Sequence, residues 1–211
     1  MRQFAIFGDT HGDYGHYMKN VRFLDRLGIK DSIQLGDHGI LAGTLPPIIE
    51  NNRHMFFCGN HDNYKAVEGH KNYMGRYGSV MNDQVLFISG GYSPDVESRT
   101  AGFDYFYYEQ LDEYEMEKAW QLALAIKPVM LITHEPPDLL VDDLIANNPF
   151  KHNFPRRASK TGIFLNKFVQ YPGLASIKNW YFGHWHYEYE ISVSGIQFKC
   201  IPNNEVWITH V

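Results

Sequence analysis

The chain has 211 residues, 44% of them hydrophobic and 15% aromatic, with a net charge of −5 and only two cysteines, Cys58 and Cys200. That length suits one domain over residues 1–211 that buries roughly 70% of its unfolded surface, so no disulfide framework is needed. The acidic balance argues against broad binding to duplex nucleic acid, which depends on cationic surface, but not against a small phosphate substrate, because bound cations reverse the local charge. No stretch nears the roughly 18 apolar residues of a membrane span. Met1-Arg2-Gln3-Phe4 holds too short an apolar run for a signal peptide, and a reducing cytoplasm is the expected setting.

In chain order, Phe4-Ala5-Ile6-Phe7 reads as a buried strand leading into Gly8-Asp9-Thr10-His11-Gly12. A helical stripe of Tyr14, Met18, Val21, Leu24 and Leu27 follows and closes at Gly28. Ser32-Ile33-Gln34-Leu35 then leads into Gly36-Asp37, and strand, helix, strand at this spacing predicts a right-handed crossover onto a parallel neighbour. Met55-Phe56-Phe57-Cys58 leads into Gly59-Asn60-His61-Asp62. Residues 109–126 predict a second helix, stopped by Pro128, before Val129-Met130-Leu131-Ile132 leads into Thr133-His134. Trp180-Tyr181-Phe182 leads into Gly183-His184-Trp185-His186. From Lys178 onward the pattern predicts an antiparallel meander with turns at Ser194-Gly195 and Pro202-Asn203-Asn204.

Apolar runs without polar alternation suit strands covered on both faces. Parallel strands present functional groups at their carboxyl ends, where loops converge, and each of these five runs ends in a side chain able to bind metal. Asp9, His11, Asp37, Asn60, His134, His184 and His186 together make a mixed oxygen and nitrogen set. Such donors suit Mn, Fe, Zn or Ni; neither cysteine is placed to contribute. Seven donors are too many for one catalytic ion. They suit two ions sharing a carboxylate bridge, an arrangement that holds a phosphate and generates hydroxide for in-line attack.

In order, Asp9-Thr10-His11, Gly36-Asp37, Gly59-Asn60-His61-Asp62, His134 and Gly183-His184-Trp185-His186 resemble the signature of the calcineurin-like metallophosphoesterases, across residues 8–186. The resemblance implies an α/β fold, a four-layer αββα sandwich of two mixed β-sheets with a dinuclear site at strand carboxyl ends. It implies that Asp9, His11 and His186 hold one ion, that Asn60, His134 and His184 hold the other, and that Asp37 bridges. Two divalent ions follow, Mn2+ foremost with Fe, Zn and Ni as alternatives. His61 would face the substrate and assist the leaving oxygen, with Asp62 orienting it. The implied activity is hydrolysis of phosphomonoesters, phosphodiesters or both by attack of a metal-bound hydroxide.

Phosphoprotein phosphatases of this superfamily carry arginines where this chain has His38-Gly39 and Cys58. Their absence weakens the phosphoprotein reading, unless Arg99, Arg156, Arg157 or Lys160 supplies the charge. The chain looks like a small, uncapped member of bacterial or phage type. The alternatives are a phosphoprotein phosphatase, a nucleotide or cyclic-nucleotide phosphodiesterase, a nuclease, or a catalytically silent binding module of the same fold. The expected partner is a small phosphate ester, with no membrane; the sequence does not choose an oligomeric state.

Other features are read structurally. His16, His54, His70, His152 and His210 are expected at the surface or satisfied in the core, while His38 stands near enough to Asp37 to line the site. Tyr105-Phe106-Tyr107-Tyr108 is expected to pack under a loop rather than stack a nucleobase. Arg99, the pair Arg156-Arg157, Asp142-Asp143 and the acids from Glu109 to Glu117 are expected in solvent.

Overall fold

The computed structural model describes residues 2–41, 53–150, 156 and 158–211. His152 and Arg157 lie outside the described residues. The first sheet contains β1 (Gln3–Phe7), β2 (Ser32–Gln34) and β3 (His54–Phe56), mutually parallel. The second takes β4 (Tyr77–Val80), β5 (Val85–Ile88), β6 (Met130–Thr133), β7 (Asn179–Phe182), β8 (Tyr189–Val193) and β9 (Ile196–Cys200) in the order β4-β5-β6-β7-β9-β8. Strand β10 (Val206–His210) returns to the first sheet, antiparallel to β1. The helices are α1 (Tyr14–Arg26), α2 (Tyr64–Val67), α3 (Glu113–Ile126), α4 (Val141–Asn147) and α5 (Lys160–Gln170).

Alternation along the strands builds the layers, because successive side chains point to opposite faces. Phe4 and Ile6 of β1 face the second sheet and pack with Val85, Phe87, Met130 and Ile132. Ala5 and Phe7 face the other way, onto Tyr17, Val21 and Leu24 of α1. In the second sheet Leu86, Ile88 and Leu131 turn outward to meet Ala119 and Ala123 of α3 and Phe164, Leu165 and Phe168 of α5. The result is helix, sheet, sheet, helix, the expected four-layer αββα sandwich of two mixed sheets. No helix among the described residues is long and apolar enough to cross a membrane.

Three expectations need correction. The C-terminal strands are not a meander. Strand β9 pairs with β7 in parallel and with β8 antiparallel, so it lies between them, and β10 leaves for the other sheet. Only the β8–β9 hairpin, turning at Ser194 and Gly195 with positive φ at both, is the antiparallel unit the pattern implied. Helix α3 begins at Glu113 rather than 109, because Asp112 and Glu115 form a reciprocal capping box. Leu27 is not part of the buried stripe: α1 ends at Arg26 and Leu27 is 53% exposed, leaving Tyr17, Val21 and Leu24 to make the contact.

Burial ranks these positions. Ile132→Ala opens a cavity between the sheets and should cost about 2–5 kcal/mol, whereas Leu27→Ala should lie within about 0.5 kcal/mol of wild type. Urea unfolding of both variants reads the difference, and equal losses would contradict the assigned layers.

Candidate metal centre

Five strand ends converge on one hollow between the sheets. Asp9 and His11 follow β1, Asp37 follows β2, and Asn60 and His61 follow β3. His134 follows β6, and His184 and His186 follow β7. Backbone hydrogen bonds tie these loops together: Asp37 O accepts from the N–H groups of Thr10 and His11, and His134 O accepts from Gly183 N–H at 2.9 Å. His11, Asp37, His184 and His186 all adopt positive φ, a region costly for residues with a Cβ and found mostly where function requires it. Two glycines permit the close approach. A Cβ on Gly59 would fall on the Asp37 carboxylate, and one on Gly183 would fall on Asp9.

The donors face one another. His186 Nε2 lies 3.1 Å from Asp9 Oδ2, and His11 Nε2 lies 3.8 Å from Asp9 Oδ2 and 3.8 Å from Asp37 Oδ2. His134 Nε2 is 3.5 Å from Asp37 Oδ1 and 2.8 Å from Asn60 Oδ1. Donor atoms of Asp9, His11, Asp37 and His186 lie within 4.8 Å of one another, as do those of Asp37, His134 and His184. Asp37 thus belongs to both groups. Its Oδ2 is buried and accepts no hydrogen bond from the described residues, which fits a carboxylate oxygen meant for a cation.

The electrostatics agree. Burial pushes the Asp37 carboxyl upward, but the surrounding imidazoles, His134 foremost, outweigh it and hold the group well below the carboxylate range. Asp9 is likewise lowered: burial opposes, and the His186 hydrogen bond and the His134 charge prevail. His134 is raised despite burial, because Asp37, Asp9 and the Leu35 carbonyl favour its cation. Its Nδ1–H donates to Leu35 O at 2.8 Å, which aims Nε2 into the hollow. A proton on Nε2 bridges to Asn60 Oδ1 where an ion would sit; metal binding releases such protons. His184 is pushed down to about 3 by burial and by the His134 charge, so it stands neutral, the form that ligates.

His61 stands beside the donor set. Its backbone N–H donates to Asp37 Oδ1 at 2.8 Å, and its Nε2 lies 3.9 Å from Asp37 Oδ2. Among the described residues, the Asp62 carboxylate makes no hydrogen bond to the His61 ring. Its buried carboxylate accepts from the backbone N–H groups of His38, Gly39, Ile40 and Gly59 instead. Its expected part in orienting His61 is therefore corrected to shaping the loops that carry Asp37 and His61.

Arg99 departs from expectation most. Its side chain is 4% exposed and ion-paired with Asp95 at 2.5 Å, and it donates to His61 Nε2 and to Asn60 O. Arg156 reaches Asp138 and Asp142 at 2.8 and 2.9 Å. Lys160 is exposed at the start of α5, as are Asp142 and Asp143 in α4. His38 does not line the hollow. It is buried against Tyr14, Tyr17 and Phe56, and burial lowers it to about 3. Phe106 is buried and stacks on Tyr108, whereas Tyr107 is 81% exposed. None of the residues 105–108 lines the cleft above the donors.

Four participants escaped sequence reasoning. Ser93 follows β5, and Glu109, Glu135 and Ser159 are buried, although Glu109 was expected in solvent. The signal available was Gly90-Gly91 after an apolar run, the strand-then-glycine pattern of the other five ends. Glu135 is pushed up to about 7 by burial, against hydrogen bonds from Ser159 Oγ and Tyr92 N–H.

A centre of buried carboxylates and imidazoles under a cleft is that of a metal-dependent hydrolase rather than a closed structural metal site. The family model described as calcineurin-like phosphoesterase matches residues 2–188 of the chain, which belongs to that family. A search of curated proteins returns no match. Family membership gives the general chemistry, metal-dependent hydrolysis of phosphoesters.

The buried Glu135 yields a pH prediction for the metal-free chain. Its ordinary value is 4.5 and its folded value about 7. Between these the folded chain keeps a proton that the unfolded chain has lost. Its contribution is therefore full at low pH and lost as pH rises toward neutrality. Thermal melts of Glu135→Gln should show a shallower decline over that window than wild type. Parallel curves would show that Glu135 titrates normally.

Proposed function

We propose that this chain hydrolyses phosphomonoesters, phosphodiesters or both, using two divalent ions, Mn2+ foremost with Fe, Zn and Ni as alternatives. Asp9, His11 and His186 would hold one ion, Asn60, His134 and His184 the other, and Asp37 would bridge them. Bound there, the ions would neutralise phosphate oxygens and activate a water. The observation that carries the reading is the sharing of Asp37 between two donor groups, with His61 beside it at the cleft.

The protein's own groups have distinct tasks. Burial lowers the His61 imidazole below its ordinary value, with Asp37 opposing and Arg99 reinforcing that lowering. A phosphate arriving beside Asp37 adds negative charge that would take over the Arg99 N–H groups and favour protonation of the Nε2 they leave, which then donates to the leaving oxygen. Arg99 lies next to that atom, where it supplies a positive charge for the substrate in place of the arginines the spacing lacks. The cleft encloses about 480 Å³, within the ~300–1,000 Å³ of small-molecule sites. Pro136, Val141, Ile145 and Trp185 form apolar walls beyond the donors. Both features favour a small ester over a folded phosphoprotein. Two free, buried thiols suit a reducing, cytoplasmic setting.

The test is turnover of paired aryl phosphomonoester and phosphodiester substrates, with Mn2+ and after chelation. Chelation should abolish turnover, and His61→Ala should lower it by roughly 10²–10⁴-fold, the span for a general acid. Inert wild type with two ions bound would instead favour a silent binding module of the same fold.

A further inference from the structure

An asparagine can ligate a cation only through its amide oxygen, and turning the amide over replaces that oxygen with an NH2 group. Which face Asn60 presents to the hollow is decided by what its other face meets. Asn60 and Ser93 are fully buried and Glu109 is 3% exposed. Asn60 Nδ2 donates to Ser93 Oγ at 3.1 Å, while Oδ1 lies 2.8 Å from His134 Nε2. Ser93 in turn donates twice to one carboxylate, through N–H to Glu109 Oε1 at 2.9 Å and through Oγ–H to Glu109 Oε2 at 2.5 Å.

The proton count gives this chain a direction. Burial pushes the Glu109 carboxyl up to about 7, against its hydrogen bonds from Ser93, so above neutrality it is ionised and, able only to accept, claims both Ser93 protons. The hydroxyl has one proton, and once that is committed to Glu109, Oγ can face Asn60 only as an acceptor. Asn60 must then offer its NH2 to Ser93 and turn its oxygen inward. We propose that Ser93 and Glu109 are positioning residues which set the Asn60 amide with Oδ1 toward the ion it would share with His134. This rests on Asn60 being a ligand. Neither residue touches the donor hollow directly; Glu109 acts through Ser93, and Ser93 through Asn60. Groups that orient a ligand typically alter metal affinity by about 10–100-fold when changed.

Glu109→Gln is the discriminating substitution because it keeps shape and burial while changing the direction of the protons. The glutamine carbonyl retains the Ser93 N–H bond, which leaves its NH2 donating to Ser93 Oγ. The hydroxyl proton then turns to Asn60, and the amide must turn over and point nitrogen at the ion. The experiment is calorimetric titration of the metal-free full chain with Mn2+ at about pH 8, above the ordinary range of imidazole, so that fewer protons compete with the metal. Thermal melts and aryl phosphate turnover accompany it.

Wild type should bind two ions. Glu109→Gln should weaken one of them by roughly 10–100-fold with the other unchanged and the fold intact. Ser93→Ala should weaken the same ion, and Ser93→Thr, which keeps the hydroxyl, should restore it; this pair carries the test if Glu109→Gln does not fold. Glu109→Gln, or Ser93→Ala where that variant alone folds, binding both ions as wild type does would overturn the proposal. Asn60→Ala separates the two ideas. Should it also bind both ions normally, Asn60 is no ligand and the premise falls. Should it lose one ion while Glu109→Gln keeps both, only the positioning role falls.

Discussion

The structure depends on a carboxylate with no access to water. Asp37 is fully buried, and an isolated ionised carboxylate in such a place costs several kcal/mol. Its loop and its neighbours hold it, although Oδ2 accepts no hydrogen bond from the described residues. Its carbonyl accepts from Thr10 and His11, and Oδ1 accepts from the His61 N–H. Oδ2 faces His11 and His61. The dependence is mutual: the same charge raises His134 and draws loops from both sheets to one point. Removing the carboxylate would leave the His61 N–H and the His134 imidazole without that partner.

The backbone around it shows the cost of the arrangement. Positive φ at His11, Asp37, His184 and His186 carries strain of about 1–3 kcal/mol per residue. Such strain persists only where the surroundings over-determine the conformation. Here the bonds between the Asp9–Gly12 loop and the Asp37–His38 loop do so, with the Asp62 carboxylate gathering four backbone N–H groups nearby. Asp62 itself is pushed up to about 6 by burial and by the Asp37 charge. A second buried carboxyl near the first is tolerable because those backbone donors oppose that rise.

Around the donor set lies a polar layer that the strand-end motifs do not contain. Ser93, Glu109, Glu135 and Ser159 are buried and hydrogen-bonded beside the cleft. Arg99 adds a cation from a loop distant in sequence from His61. The donor set defines the general chemistry shared with the family. This second layer meets the donor set at Asn60 and stands against His61.

The sequence by itself determined the strand ends that carry the candidate donors, because each needs a short apolar run and a fixed turn, and both are local. It determined the αββα layering through the residues matching the family signature. It could not determine which strands become neighbours after Lys178. An apolar run pairs equally well in parallel or antiparallel until the crossover is built, and the placement of β9 between β7 and β8 is settled by packing across the second sheet. Nor could it place Glu109 or Arg99. A charged residue reads as solvent-facing unless a partner is known. Their partners, Ser93 for one and His61 and Asp95 for the other, meet them through long-range packing or a loop whose turn the pattern does not reveal. The tertiary structure alone moved His38 into an aromatic nest and left Asp62 holding backbone rather than His61. Burial and donor direction are decided only when distant segments meet.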